Sequence, residues 1–281
     1  MRAIILLMPL VLACCRSASG GPDSSPGTPE TKPADALVLR VETGGGLVPP
    51  GVLLTELPTL SLYGDGRVIT QGPQIMIYPG PALPNLIERN LSQSGVDAIV
   101  GAARKAGLRG EDRQFPLDTV ADAPTTTFTL LTGGTRHVTS VYALGMEESA
   151  GLPVRDREAR KALTDFHARL TGLESWLPDG SVGPERSFAI QKLRLFVLPG
   201  APVADDPSLQ QPPAEWPLSQ PLSEFGGPAK QPELRCGVVA GDDLELLLPR
   251  VMQANQLTPW TSEGITYTLL FRPLLPDESG C

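Results

Sequence analysis

The sequence predicts an α+β fold: antiparallel β-sheet, in one or more sheets of short strands, with about three helices packed against it. Three observations lead there. Glycine (29) and proline (30) fill 59 of the 281 positions, against an average usage of roughly 12%. Such punctuation disfavours long helices and long parallel strands and favours short strands joined by turns. Apolar residues alternate with period two in several short stretches, and a helical period appears in only three. Hydrophobic residues make up 41% of the chain, enough to fill a core rather than leave the chain disordered.

The elements follow in order. Asp35 to Thr43 reads as a strand ended by Gly44-Gly45-Gly46. Leu60 to Tyr63, the turn Gly64-Asp65-Gly66 and Arg67 to Thr70 make a hairpin, since Gly and Asp suit the turn and both arms alternate. Gln74 to Tyr78 reads as a further short strand stopped by Pro79-Gly80-Pro81, and Leu86 to Leu91 as another. Ser92 or Ser94 then caps a helix whose Val96, Ile99, Val100 and Ala103 share one face, with Gly107 closing it. Thr125 to Leu131, Gly133-Gly134 and His137 to Leu144 form a second hairpin, and residues 155–176 a second helix with Ala159, Leu163, Phe166, Leu170 and Leu173 on one side.

The last third repeats the theme. Phe188 to Val197 reads as a strand, a proline-rich loop runs over 199–233, and Leu234 to Val239 is a strand. Asp242 opens a helix through Leu244, Leu247, Leu248 and Val251; Gly264 to Pro273 is the final strand, with Trp260 before it in the core. Thr126 to Leu131 echoes Ile265 to Leu270. The expected organisation is therefore one domain over 35–281, with two candidate halves, 35–150 and 186–281, joined by the helix at 155–176.

The amino terminus carries the most specific signal. Met1 to Ala13 holds one arginine and then an apolar run too short to span a bilayer, the pattern of a secretory leader. Leu10-Val11-Leu12-Ala13-Cys14 resembles a lipobox. That resemblance implies a lipoprotein signal peptide over 1–13, cleavage after Ala13 and lipidation of Cys14 by diacylglyceryl and palmitate-type chains. Ordinary cleavage near Ser17-Ala18-Ser19 is the alternative. Two or three acyl chains, at about 0.8 kcal/mol per buried CH₂, anchor stably where one does not. Residues 14–34 contain no large apolar side chain and read as a flexible tether with a root-mean-square span of roughly 25 Å. The expected location is the cell membrane, lipid-anchored and facing outside the cytoplasm.

Export bears on the cysteines. Of Cys14, Cys15, Cys236 and Cys281, only the last two fall in the folded part, and an oxidising compartment favours their pairing as a disulfide. No spaced Cys or His joins them, so a metal site is not expected. Cys15 receives no role.

The search for chemistry is thin. No G-x-S-x-G, H-E-x-x-H, P-loop or dinucleotide fingerprint occurs, and no cofactor is expected. His137 and His167 stand apart from any nucleophile signal. Asp65 is explained by its turn, Asp242 and Asp243 by a helix start, and Asp205-Asp206 by solvation. A net charge of −8 speaks against a sequence-independent grip on nucleic acid. The candidate binding residues are Tyr78 and Trp216, aromatics set among prolines and therefore rigid contact material; packing of these loops onto the sheet as a lid is the plainer account.

Leu62 to Ile69, Ile77 to Pro84 and Phe271 to Glu278 resemble segments of uncharacterised exported lipoproteins from GC-rich (actinobacterial) bacteria, over most of 36–281. The resemblance implies export and a single recurring domain, but no substrate and no catalytic residues. The expectation is a membrane-anchored module that binds an envelope protein, peptide or glycan without catalysis. The alternative is a cell-envelope hydrolase whose acids meet only in the fold.

Overall fold

The computed structural model describes residues 34–146, 151–229, 231 and 233–281. The leader, Cys14, Cys15 and all but the last residue of the tether lie outside the described residues. The described residues fall in one compact unit.

Two sheets organise it. The first has eight strands: β1 (Leu37–Gly44), β2 (Leu60–Tyr63), β3 (Arg67–Gln71), β4 (Leu86–Asn90), β5 (Arg113–Phe115), β6 (Thr125–Thr132), β7 (Thr135–Tyr142) and β8 (Arg186–Ser187), in the order β5-β7-β6-β1-β2-β3-β4-β8. The second has six: β9 (Lys192–Pro199), β10 (Ala214–Glu215), β11 (Gly227–Pro228), β12 (Arg235–Ala240), β13 (Trp260–Ser262) and β14 (Ile265–Pro273), ordered β10-β13-β14-β9-β12-β11. Pairing is antiparallel except at one edge of each sheet, where β5 runs parallel to β7 and β10 parallel to β13. The α+β architecture stands as the sequence predicts.

The helices are α1 (Pro50–Thr55), α2 (Gln93–Lys105), α3 (Val154–Leu170) and α4 (Gly241–Gln253). Of these, α1 has no counterpart in the sequence reading, because six residues are too few to show a period. The Ser92 hydroxyl accepts from the Gly95 N–H and caps α2. Asp242 and Asp243 sit in the first turn of α4, where their charge suits the helix dipole.

Val96, Ile99 and Ala103 of α2 and Leu163, Phe166 and Leu170 of α3 pack with Leu39, Val41, Leu62 and Phe128 of the first sheet. Leu244, Leu247 and Val251 of α4 pack with Leu195, Val197, Trp260 and Phe271 of the second. Alternation sends Arg40, Ser61 and Tyr63 away from the helices; there Leu275 of the C-terminal tail joins Tyr63 and Ile69.

That tail is held by both sheets. Arg40 and Tyr63 each donate to Asp277 at 2.7 Å, and Arg272 of β14 donates to both Glu278 oxygens at 2.7 and 2.8 Å. Burial alone would raise the Glu278 carboxyl. Bonds from Arg272 and the Leu275 N–H, with the charges of Arg272 and Arg40, outweigh it and hold Glu278 below its ordinary value. Burial and the bond to Asp277 push the Tyr63 hydroxyl far up, so it stays a donor. Cys236 of β12 bonds to Cys281, with Cα atoms 6.0 Å apart, and closes the tail down.

Three expectations need correction. Gln74 to Tyr78 belongs to no strand: both edges of β3 are already taken, by β2 and β4, and Pro73 and Pro79 bracket the run. The helix expected over 155–176 ends at Leu170, where Thr171 bonds back to the Ala168 carbonyl and Gly172 leaves helical geometry before a 3-10 turn at Leu173–Ser175. The strand expected from Phe188 begins at Lys192, where its partner β12 ends at Ala240.

The echoed segments occupy like places. Leu130 of β6 pairs with Leu39 of β1, and Leu269 of β14 with Val197 of β9. Their surroundings differ: the hairpin partner of β6 follows it, whereas that of β14 precedes it.

Candidate functional site

An open cleft of about 850 Å³ lies beside α1. Gly51, Val52 and Thr55 come from α1, Leu269, Leu270 and Phe271 from β14, and the remainder chiefly from residues 74–84. Gly51 faces β14: a Cβ on it would meet the Leu270 side chain at 3.5 Å, an ordinary packing distance, so helix and sheet lie in contact here.

Residues 74–84 are fastened only near their ends. Gln74 exchanges hydrogen bonds with the backbone of Asn85. Gly80 bonds to the Gln256 amide oxygen at 3.3 Å, and Ala82 donates to the Ala254 carbonyl. Between those ties stand Ile75, Met76, Ile77 and Tyr78, all exposed, Met76 by 95%. No hydrogen bond among the described residues engages their backbone N–H or C=O groups. Large apolar side chains gathered in this way on a surface mark interaction sites.

The cleft carries almost no charge. From Val68 to Ile87 there is no ionisable side chain except Tyr78, and Glu56 is the one charged residue in the lining. Its carboxylate lies against Gly44, where an added Cβ would come within 2.3 Å of it. Among the described residues Glu56 has no ion-pair partner.

The two aromatics singled out in the sequence therefore part company. Tyr78 lines the cleft, 57% exposed. Trp216 lies in the second core, edge-on to Phe225 and Trp260, its indole N–H bonded to the Gln220 carbonyl. Trp216 thus packs as core, whereas the cleft at Tyr78 is also lined by α1 and Glu56, which no sequence motif marks.

A smaller cavity of about 280 Å³ opens near the end of α3, lined by His167, Arg89, Glu174 and Glu185 over an apolar base. Both glutamates bind Arg89, so they are paired with a cation rather than poised as an acid and a base. The His167 ring stands edge-on to Phe128 with a buried Nε2 that has no hydrogen-bond partner among the described residues, and burial lowers its pKa. His137 lies elsewhere, its Nδ1 2.6 Å from the Gly110 carbonyl. Asp65 accepts from the Arg67 N–H within its turn, and Asp206 caps a 3-10 turn. Among the described residues no three His, Cys, Asp or Glu side chains gather as a metal site would require, and no helix is long and apolar enough to cross a membrane.

Comparison with protein-family models, with curated proteins and with solved structures gives no match.

Proposed function

We propose that this chain is a lipid-anchored, exported binding module, held to the outside of the cytoplasmic membrane through Cys14, whose working face is the apolar cleft beside residues 74–84. The observation that carries the reading is the exposure of Ile75, Met76, Ile77 and Tyr78 around a cleft of this size. Burying a fully exposed apolar side chain of this size gains roughly 1.5–3 kcal/mol, and these four, more than half exposed, forgo much of that gain. The surface thus suits an occupant from another molecule. A hydrolase is less well supported, because Glu174 and Glu185 are both bound to Arg89.

Two experiments test the two parts. A photo-reactive residue at position 76 in intact cells should form a discrete adduct, and the same residue at exposed Met252 on α4 should not; equal yields would remove the cleft from consideration. The parent should partition into the detergent phase of a Triton extract and a Cys14→Ser chain into the aqueous phase. Identical partitioning would refute the anchor.

A further inference from the structure

We infer that the occupant of the cleft is an extended polypeptide strand: apolar side chains enter the cleft, its backbone pairs along Ile75 to Tyr78, and one lysine or arginine meets Glu56. The inference rests on the proposed binding role and names the ligand class.

Within this sequence, the segments outside the described residues that would remain after the proposed cleavage offer no apolar run to the cleft. Residues 14–33 carry no large apolar side chain; 147–150 are Glu-Glu-Ser-Ala; 230 and 232 are Lys and Pro. The apolar run before Cys14 would leave with the leader. A separate molecule is therefore the occupant that fits.

The backbone then chooses its class. Ile75, Met76, Ile77 and Tyr78 form a β-type sequence whose N–H and C=O groups have no partner among the described residues. An acyl chain would cover the side chains but leave that row unpaired, and covering unpaired amides costs free energy. A second strand satisfies the row, gaining affinity from main-chain bonds and specificity from alternate side chains.

Charge refines the choice. Glu56 is a lone carboxylate in an otherwise uncharged lining, so a ligand with one cation beside its apolar run answers it and an anionic one is repelled. A second copy of this chain fits less well. Pairing Gln74–Tyr78 with itself brings no basic residue to Glu56, and each copy carries a net charge of −8.

The test pans a phage-displayed library of random 12-residue peptides on the full-length protein in detergent, with Met76→Asp and Glu56→Lys proteins beside it. Met76 is exposed, so the aspartate should leave the unfolding curve unchanged and serve as a binding control. Enriched clones should share an alternating apolar run next to Lys or Arg, and should be lost on Met76→Asp. The Glu56→Lys protein should select Asp or Glu there instead. N-methylating alternate amides of the best peptide should weaken it at least about tenfold. No Met76-dependent clones, a flanking charge indifferent to Glu56→Lys, or tolerance of N-methylation would each overturn the inference. So would a Met76-dependent dimer in sedimentation. Binding of a fluorescent C16 fatty acid in place of any peptide would overturn the strand alone and leave the cleft a binding site.

Discussion

Two proline-rich stretches of this molecule place apolar side chains among prolines, and they end in opposite environments. The longer, 199–233, buries Trp216, Leu222 and Phe225 against the second sheet. The shorter, 72–84, leaves Ile75 to Tyr78 in water. The difference lies in what waits underneath. Residues 214–215 find a free strand edge on β13, Ser262 accepts from the Leu222 N–H, and Arg235 ties down the Phe225 and Gly226 carbonyls. The Phe225 ring lies over Gly237, in space that a Cβ there would need. Residues 75–78 find no such edge. Prolines stiffen a loop; whether it becomes a lid or a displayed surface depends on the strand edges left for it.

The sharpest test of that contrast is a pair of truncations. Trp216→Ala should cost about 3–5 kcal/mol, the usual loss for a buried tryptophan, whereas Met76→Ala should stay within about 0.5 kcal/mol. Urea unfolding measures both, and similar losses would erase the distinction. Next in size is the clip beneath the buried loop. β11 pairs with β12 at Cys236, and the Cys236–Cys281 bond closes a loop with a sequence separation of 45. Cys281→Ser should therefore cost about 2–4 kcal/mol without altering capture at position 76; lost capture would show that the two regions are coupled.

Acid acts outside both stretches. His167 is held neutral by burial, with its pKa below the ordinary 6.5. Its folded value lies under its unfolded one, so its contribution is complete above pH 6.5 and declines as pH falls through the folded value. His167→Phe should flatten the stability–pH curve just below 6.5; an unchanged slope there would exclude His167 as its source. Below pH 4.5 the Glu278 contribution fades as well, because its folded value is also depressed. The smallest effect concerns the ties of the displayed segment. Gln256→Ala removes the acceptor of the Gly80 N–H and should cost at most about 1 kcal/mol, while speeding proteolysis between Gln74 and Pro81. Unchanged cleavage would mean that this tie does not hold the segment.

Much of this was readable beforehand, and the failures have one cause. The 60–70 hairpin, the capped helix after Ser92, the 125–144 hairpin and the strand from 264 follow from local patterns: turn glycines, a capping serine, period-two alternation. The segment 74–78 has the same local pattern and makes no strand, because pairing needs a vacant edge and β3 has none. Trp216 and Tyr78 looked alike for the same reason, each an aromatic beside a proline.

The sequence by itself determined the fold class, the Cys236–Cys281 pairing and the period of each long element, since these depend on neighbours a few residues apart or on a choice among few cysteines. Only the tertiary structure decided that Trp216 is core and Tyr78 surface, and that Glu56, Val52 and Ile75 share a cleft. It also decided that the tail's Asp277 and Glu278 answer Arg40 and Arg272. Those outcomes depend on which strand edges and charges remain unpartnered once the sheets have formed, a property of the assembled chain that no local window contains.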